Sequence, residues 1–548
     1  MERFNYRVIM QLLTAIRRQR DFKDLELLWQ SLCLIVSFAP AVTVGLYSLS
    51  RPVLRMGSDQ DLMWVSEALR LLRGLGPSYA DHPGAFWSLI NASTIKALNL
   101  VPNISILEGE SITSEGLRVL IQSIRIENAL IAGLTGYLCY HILINLEINR
   151  NLALAVNLAI SCATPTLLAA AAIRHELVSV VFMLISCLYL QKLSNPEDSR
   201  QLRLAHGLFC VFMIFAAAFS KQQSLILLPF IFFVGLASVR LRNPCLLREW
   251  LKQWKSLKAK DASLLLGIWS LSWAISATPD IDLINLPAWI AINCAITGVI
   301  SLALYSNIAI PSVIYRASIV TAIIEMTITR LISANWWRQA VTGFPSWLVM
   351  FTNKPGIGNE QSALYFDNLY QYFKLTFLLP HISVALAVIS VLCSFYIIIK
   401  ELTSQKRRSD FGSSSELSVA TSWLLGFVVI MACLLRFNPP YTIYFFPCLM
   451  ISSAFIFSDR LRTKHRQFNA IGLLKVLSFF VITCGILRSI SNLGDLKQIA
   501  NAGLPEHAIC MSHNMDSSMN LTAVATCPDF KSKSAEKAIF NDWWRGPL

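Results

Sequence analysis

LAHGLFCVFMIFAAAFSKQQSLILLPFIFFVGLASVRLR, residues 204–242, decides the fold class. Its two apolar runs, 204–220 and 223–239, are each long enough to cross a bilayer as a helix, and only SKQQ (220–223) separates them. In hydrocarbon every backbone polar group must find its partner inside the chain, which a helix achieves by itself. The pair therefore reads as a helical hairpin in a membrane. Arg240 and Arg242 open the basic segment RLRNPCLLREWLKQWKSLKAK (240–260), which marks the end of the hairpin that stays on the cytosolic side.

The rest of the chain repeats this pattern. Its 548 residues are 55% hydrophobic and 15% charged, and the mean hydropathy is +0.53. Apolar runs fall near 28–50, 126–146, 152–172, 176–191, 204–220, 223–239, 262–278, 286–305, 311–330, 375–399, 418–435, 441–458 and 469–488. The expected fold is an all-α polytopic membrane bundle of about 11–13 spans. The net charge of +14 sits in short segments between spans, so it reports topology and anionic lipid headgroups rather than nucleic acid. KELTSQKRRSD (400–410) and DRLRTKHRQ (459–467) join 240–260 and the basic N-terminus on the cytosolic side. No small-residue cleavage site is evident near the N-terminus, and the first span is expected to serve as its own membrane signal.

On this alternation the opposite face receives a first outer loop, 51–125, a long loop, 331–374, and a tail, 491–548, beyond a transmembrane domain of 1–490. Cys510 and Cys527 lie in that tail, where an oxidising space could close a disulfide. His507 and His513 add ligand types beside them but no structural-zinc spacing. Sequons stand at Asn91, Asn103 and Asn520. No P-loop, HExxH helix or GxSxG elbow occurs, which argues against a P-loop ATPase, a common metalloprotease and a serine hydrolase.

The first outer loop contains GSDQDLMWVSEALRLLRGLGPSYADHPG, 57–84. Ser58 fits an N-cap with Asp61 at the third helical position. Leu62, Val65, Leu69 and Leu72 form one stripe with Glu67, Arg70 and Arg73 largely away from it, the pattern of an interfacial helix lying on the bilayer. Capping accounts for the acidic residues structurally; alternatively Asp59 or Asp61 is a carboxylate held at the membrane surface as a general base. Asp81 and His82 precede a Pro-Gly turn in the same loop.

An acidic residue after the first span, an amphipathic helix ending in GLGPSY, and then DHPG resemble the first outer loop of GT-C integral-membrane glycosyltransferases, the protein-mannosyltransferase and aminoarabinose-transferase relatives. AAAIRHELVSVVF places Arg174, His175 and Glu176 where that class carries an acidic residue in its second outer loop. FSKQQSLILLPF resembles its Lys-bearing third outer turn, giving Lys221. RFNPPYTIYFFP resembles its late Arg/Tyr segment, giving Arg436 and Tyr441. The resemblance implies transfer of a sugar from a polyprenyl- or dolichyl-phosphate donor to a glycan, lipid or protein acceptor outside the cytosol. The membrane would be a plasma or inner membrane, or that of the ER. It further implies Asp59 or Asp61 as base and Glu176 as a catalytic or contact carboxylate. Asp81, His82, Arg174 and Tyr441 would shape the donor and acceptor sites, and Lys221 and Arg436 would neutralise the departing lipid phosphate. A divalent metal varies across the class, so none is obligatory. The competing readings are a transporter or flippase of lipid-linked sugars, and a non-catalytic assembly subunit. Lys221 as a plain helix end, and Arg174 as a partner of Glu176 or a headgroup-seeking cation, are the structural alternatives.

Overall fold

A computed structural model describes residues 26–49, 55–56, 59–73, 84–101, 107–108, 111–112, 114–171, 175–195, 197–243, 245–246, 249–251, 258–276, 286–304, 311–332, 365–404, 428, 442–458 and 468–501. Apart from two short antiparallel pairings, Arg55–Met56 with Asp59–Gln60 and Leu107–Glu108 with Ser111–Ile112, its elements are helices. They are α1 (Glu26–Ser48), α2 (Asp61–Leu72), α3 (Ala85–Asn99), α4 (Ser114–Asn145), α5 (Arg150–Ser161), α6 (Thr164–Ala171), α7 (His175–Lys192) and α8 (Arg200–Ser220). A short 3₁₀ turn, Gln222–Leu227, leads into α9 (Leu228–Arg242). Then come α10 (Ala259–Ser276), α11 (Leu286–Leu304), α12 (Pro311–Ile332), α13 (Tyr365–Thr376), α14 (Pro380–Ser404), α15 (Thr442–Phe457), α16 (Phe468–Gly494) and α17 (Leu496–Asn501).

Among the described residues six helical segments are long and apolar enough to cross a membrane: Glu26–Ser48, His175–Lys192, Arg200–Ser220, Ser224–Arg242, Pro380–Ile397 and Gly472–Gly494. The chain is thus an all-α polytopic membrane protein. The expected run at 418–435 lies outside the described residues save for Val428.

Four boundaries differ from the sequence reading. The run 152–172 is two helices, α5 and α6, bent by 51° at a break after Ser161. Backbone carbonyls freed at the break are satisfied from α16: Asn492 Nδ2 donates to the Cys162 carbonyl at 2.7 Å and Ser489 Oγ to the Ala159 carbonyl at 2.9 Å, while Asn492 Nδ2 also donates to the Thr164 hydroxyl oxygen at 3.1 Å. This is how a broken helix survives inside a bundle. The run expected from 375 starts at Pro380, whose fixed φ suits a first helical turn. The preceding α13 is a separate helix within the expected long loop, with Tyr372 against Phe445 and Phe377 against Phe446 just beyond its end. Residues 491–501, expected in the tail, instead complete α16 and form α17, whose Ile499 and Ala500 are buried and which packs on α6.

The fourth difference lies in the first loop. Helix α4 begins at Ser114 and runs 32 residues, roughly 48 Å at 1.5 Å per residue, so residues 114–125 extend a span instead of closing a loop. The extension looked loop-like because it carries Arg118, Gln122 and Arg125. Two of these serve α1: Arg125 Nη1 donates to the Ser48 carbonyl at 2.9 Å and Gln122 Nε2 to the Leu49 carbonyl at 3.2 Å. They satisfy carbonyls that the end of α1 leaves open. The two helices approach closely, since a Cβ on Gly45 would lie 2.6 Å from the Ala129 Cβ.

Against this extension pack α2 and α3. Val65, Ala68 and Leu69 share a buried cluster with Trp87, Ala92, Ile95, Leu120, Ile121, Ile124 and Val178. The apolar stripe of α2 therefore faces protein, where a helix lying on the bilayer would turn it to lipid. Glu67, expected away from the stripe, is also buried. Asp61 is the first residue of α2, two positions earlier in the helix than the capping pattern expects, because Asp59–Gln60 pair back on Arg55–Met56 in extended conformation.

Candidate functional site

The first turn of α7, the end of α8 and the start of α15 meet in a buried polar cluster. His175 and Glu176 open α7, where a carboxylate suits the positive end of the helix dipole. Helix α8 stops at Ser220 because Lys221 is extended (φ −161°, ψ 114°), with its N–H bonded to the Ala217 carbonyl at 2.8 Å. A cation at that position suits the negative end of α8.

The side chains then converge. Lys221 Nζ lies 3.9 Å from Glu176 Oε1, with each side chain 4% exposed. His175 Nδ1 lies 3.5 Å from Glu176 Oε2. Ser179, one turn along α7, donates from Oγ to the Glu176 carbonyl at 2.7 Å and sits 2.9 Å from the Tyr444 hydroxyl of α15. Glu176 Oε2, Ser224 Oγ and Thr442 Oγ1 are buried without a hydrogen-bond partner. Leaving such groups unmade costs about 1–3 kcal/mol each, so the region has polar capacity beyond what its own fold consumes. A carboxylate, an imidazole and an ammonium here can exchange a proton and hold an anionic, hydroxyl-bearing ligand.

The first loop reaches this end of the bundle. Phe86, at the start of α3, packs against Phe182 of α7 at 5.7 Å between ring centroids and against Phe212 and Phe219 of α8 at 6.2 and 6.4 Å. Phe219 is two residues before Lys221, and Phe86 is four residues after His82. Helix α3 of the first outer loop is thereby tied to the helices bearing Glu176 and Lys221.

Of the residues singled out from sequence, Glu176 and Lys221 are brought together. Lys221 stands at the end of α8 and is buried. Glu176 has the Lys221 ammonium and the His175 imidazole as its neighbours. Asp59 lies in an extended pair and Asp61 at the head of α2. Asp81, His82, Arg174, Arg436 and Tyr441 lie outside the described residues, as do Asn103, His507, Cys510, His513, Asn520 and Cys527. The sequon asparagine Asn91 is buried in mid-α3, closed to a glycan in the folded protein.

Ser179, Ser224, Thr442 and Tyr444 were not singled out from sequence. Ser179 and Tyr444 lie in runs otherwise fit for a span, and their significance depends on a contact across more than two hundred residues. The available signal was Tyr444 itself, a phenol inside TIYFFP that needs a partner once buried. Among the described residues no group of three or more His, Cys, Asp and Glu is arranged to hold a metal ion. Comparison with known protein families, curated proteins and solved structures finds no match.

Proposed function

We propose that the protein is a membrane glycosyltransferase that moves a sugar from a polyprenyl- or dolichyl-phosphate donor to an acceptor on the extracytoplasmic side. The observation that carries the reading is the buried Glu176–Lys221 pair, at 3.9 Å, at the ends of two apolar helices long enough to span a membrane. Ionisable groups are costly in such helices and are retained where they handle a substrate. In the proposed reaction Asp59 or Asp61 takes the proton of the acceptor hydroxyl as it attacks the anomeric carbon, and the bond from that carbon to the phosphate oxygen breaks. Lys221, with Arg436, stabilises the charge that develops on the departing lipid phosphate. Glu176 holds Lys221 in place between turnovers and contacts donor or acceptor during them. Asp81, His82, Arg174 and Tyr441 complete the acceptor and sugar contacts.

The broken pair α5–α6 favours a second reading, transport of the lipid-linked sugar, because discontinuous helices often line transport sites. The filling of that break by Asn492 and Ser489 weighs against an open path there. Sugar transfer from a radiolabelled polyprenyl-phosphate donor in membranes separates the two. Wild type should form a covalent labelled product, and Asp59→Asn, Asp61→Asn and Lys221→Ala should identify the groups required. Full activity in all three variants would sink the assignment. Movement of donor across the membrane without product would favour transport.

A further inference from the structure

One stripe of α3 carries buried polar groups that the fold leaves unanswered. Trp87, Asn91 and Thr94 stand at i, i+4 and i+7, which puts them on one side of the helix. That side meets α4, because the Thr94 hydroxyl bonds to Glu127 Oε1. Trp87 and Asn91 are fully enclosed. Yet the Trp87 indole N–H and both polar atoms of the Asn91 amide have no hydrogen-bond partner, and neither has Glu127 Oε2. Among the described residues Glu127 also forms no ion pair. Ala92 and Ile95 of α3 with Ile121 and Ile124 of α4 supply the apolar packing between the same helices. Polar groups buried in this way cost stability until something meets them.

What would meet them has a definite chemistry. The indole only donates, a carboxylate oxygen only accepts, and the amide does both. A cation would answer the acceptors but face the N–H donors, and an anion would face the Glu127 carboxylate. A hydroxyl gives and accepts, so a group bearing several hydroxyls suits the whole set. From Trp87 to Thr94 the helix rises roughly 10 Å at 1.5 Å per residue, farther than one bridging water reaches and on the scale of a sugar ring with its substituents. Thr94 and Glu127 are half-buried and form the accessible edge of the seam. Its other end lies beside the site described above, since Phe86, next to Trp87, packs against Phe219, two residues before Lys221.

We propose that the seam between α3 and α4 is a sugar-binding subsite, in which Trp87, Asn91 and Glu127 take the hydroxyls of the sugar carried by the lipid donor. The Trp87 N–H donates to a hydroxyl oxygen, the Asn91 amide gives one bond and accepts another, and Glu127 Oε2 accepts. The inference rests on the reading of the protein as a transferase of lipid-linked sugar.

Binding to the purified full chain in nanodiscs tests it, with undecaprenyl phosphate carrying a hexose, the same lipid carrying a pentose, and bare undecaprenyl phosphate as probes. Wild type should prefer a sugar-bearing lipid to the bare one. Asn91→Leu and Trp87→Phe should each cut that preference by about fivefold or more, the scale of one hydrogen bond to a buried group, and leave affinity for the bare lipid unchanged. Without lipid, Asn91→Leu should unfold at the same or a higher temperature, because the amide has no partner to lose. Equal binding of all three lipids by wild type, or a preference that survives in both variants, would overturn the proposal. A lower unfolding temperature in Asn91→Leu with the preference intact would assign the amide to the fold or to buried water and overturn it too. If the preference depends on these residues but wild type forms no transfer product, the transferase reading fails and the subsite stands. If product forms and the preference ignores these residues, the subsite fails alone.

Discussion

Replacing Lys221 by Met and Glu176 by Gln, singly and together, tests why a charged pair is kept inside an apolar bundle. Both side chains are 4% exposed and the charged atoms lie 3.9 Å apart. At an effective dielectric near 20, two unit charges at that separation attract by about 4 kcal/mol. Removing one partner strips the other of this buried counter-charge, a loss of up to about 3–5 kcal/mol. The 3.9 Å separation is long for a salt bridge, so the lower end of that range, about 3 kcal/mol, is expected for each single variant. The double variant loses attraction and desolvation cost together and should lie within about 1 kcal/mol of wild type or above it. The coupling energy from the cycle, the loss in the double variant less the losses in the two singles, should then be at least about 5 kcal/mol in magnitude. The assay is unfolding of purified protein in mixed micelles by a denaturing detergent, followed by far-ultraviolet circular dichroism. A coupling near zero, with the double variant as destabilised as the sum of the singles, would refute the reasoning, because the charges would then be handled separately by water or other groups. A stable but inactive double variant would show that the pair is retained for chemistry.

Three further outcomes follow from the packing. Asn492→Leu strips partners from Cys162 and Thr164 at the α5–α6 break and should cost about 1–3 kcal/mol, read in the same unfolding assay; no loss would mean the break is satisfied elsewhere. A Cβ at Gly136 would lie 2.0 Å from Ser161 Oγ and 2.6 Å from Asn157 Oδ1, inside the network in which Asn157 Nδ2 donates to Ser37 Oγ at 2.9 Å and Ser161 Oγ donates to Asn157 Oδ1 at 2.9 Å. Gly136→Ala should therefore destabilise by about 1–3 kcal/mol, and a neutral effect would contradict the close crossing of α1, α4 and α5. Asn91 should carry no glycan in a glycosylating host, because it is buried in mid-helix; an endoglycosidase-sensitive mobility shift abolished by Asn91→Gln would contradict the placement of α3.

Much of the fold was legible in the apolar runs, because a membrane forces helices of one approximate length. The misses have a common physical origin in polar residues that serve other helices. Arg125 and Gln122 made the start of α4 look like loop, yet their task is to meet the carbonyls at the end of α1. Asn492 belongs to α16 and makes the break in 152–172 tolerable, a dependence across 330 residues that no local pattern carries. Glu67 follows the polar side of a helical wheel but is buried because α2 packs within protein. At the site, Glu176 and Lys221 were legible as ionisable residues at span ends. Their pairing with each other, and the support from Ser179 and Tyr444, required the turn geometry of Lys221 and the docking of α15 on α7.

The most direct measurement is transfer of a labelled sugar by purified protein in liposomes that contain a polyprenyl-phosphate donor and an acceptor fraction from the same membranes. Wild type should yield a covalent product, Lys221→Ala should lower its rate by about 100-fold, the scale for removing one electrostatic partner of a developing charge, and Glu176→Gln, which loosens the hold on Lys221, should lower it as well. Absence of product with folded wild type, or undiminished rates in both variants, would contradict the account.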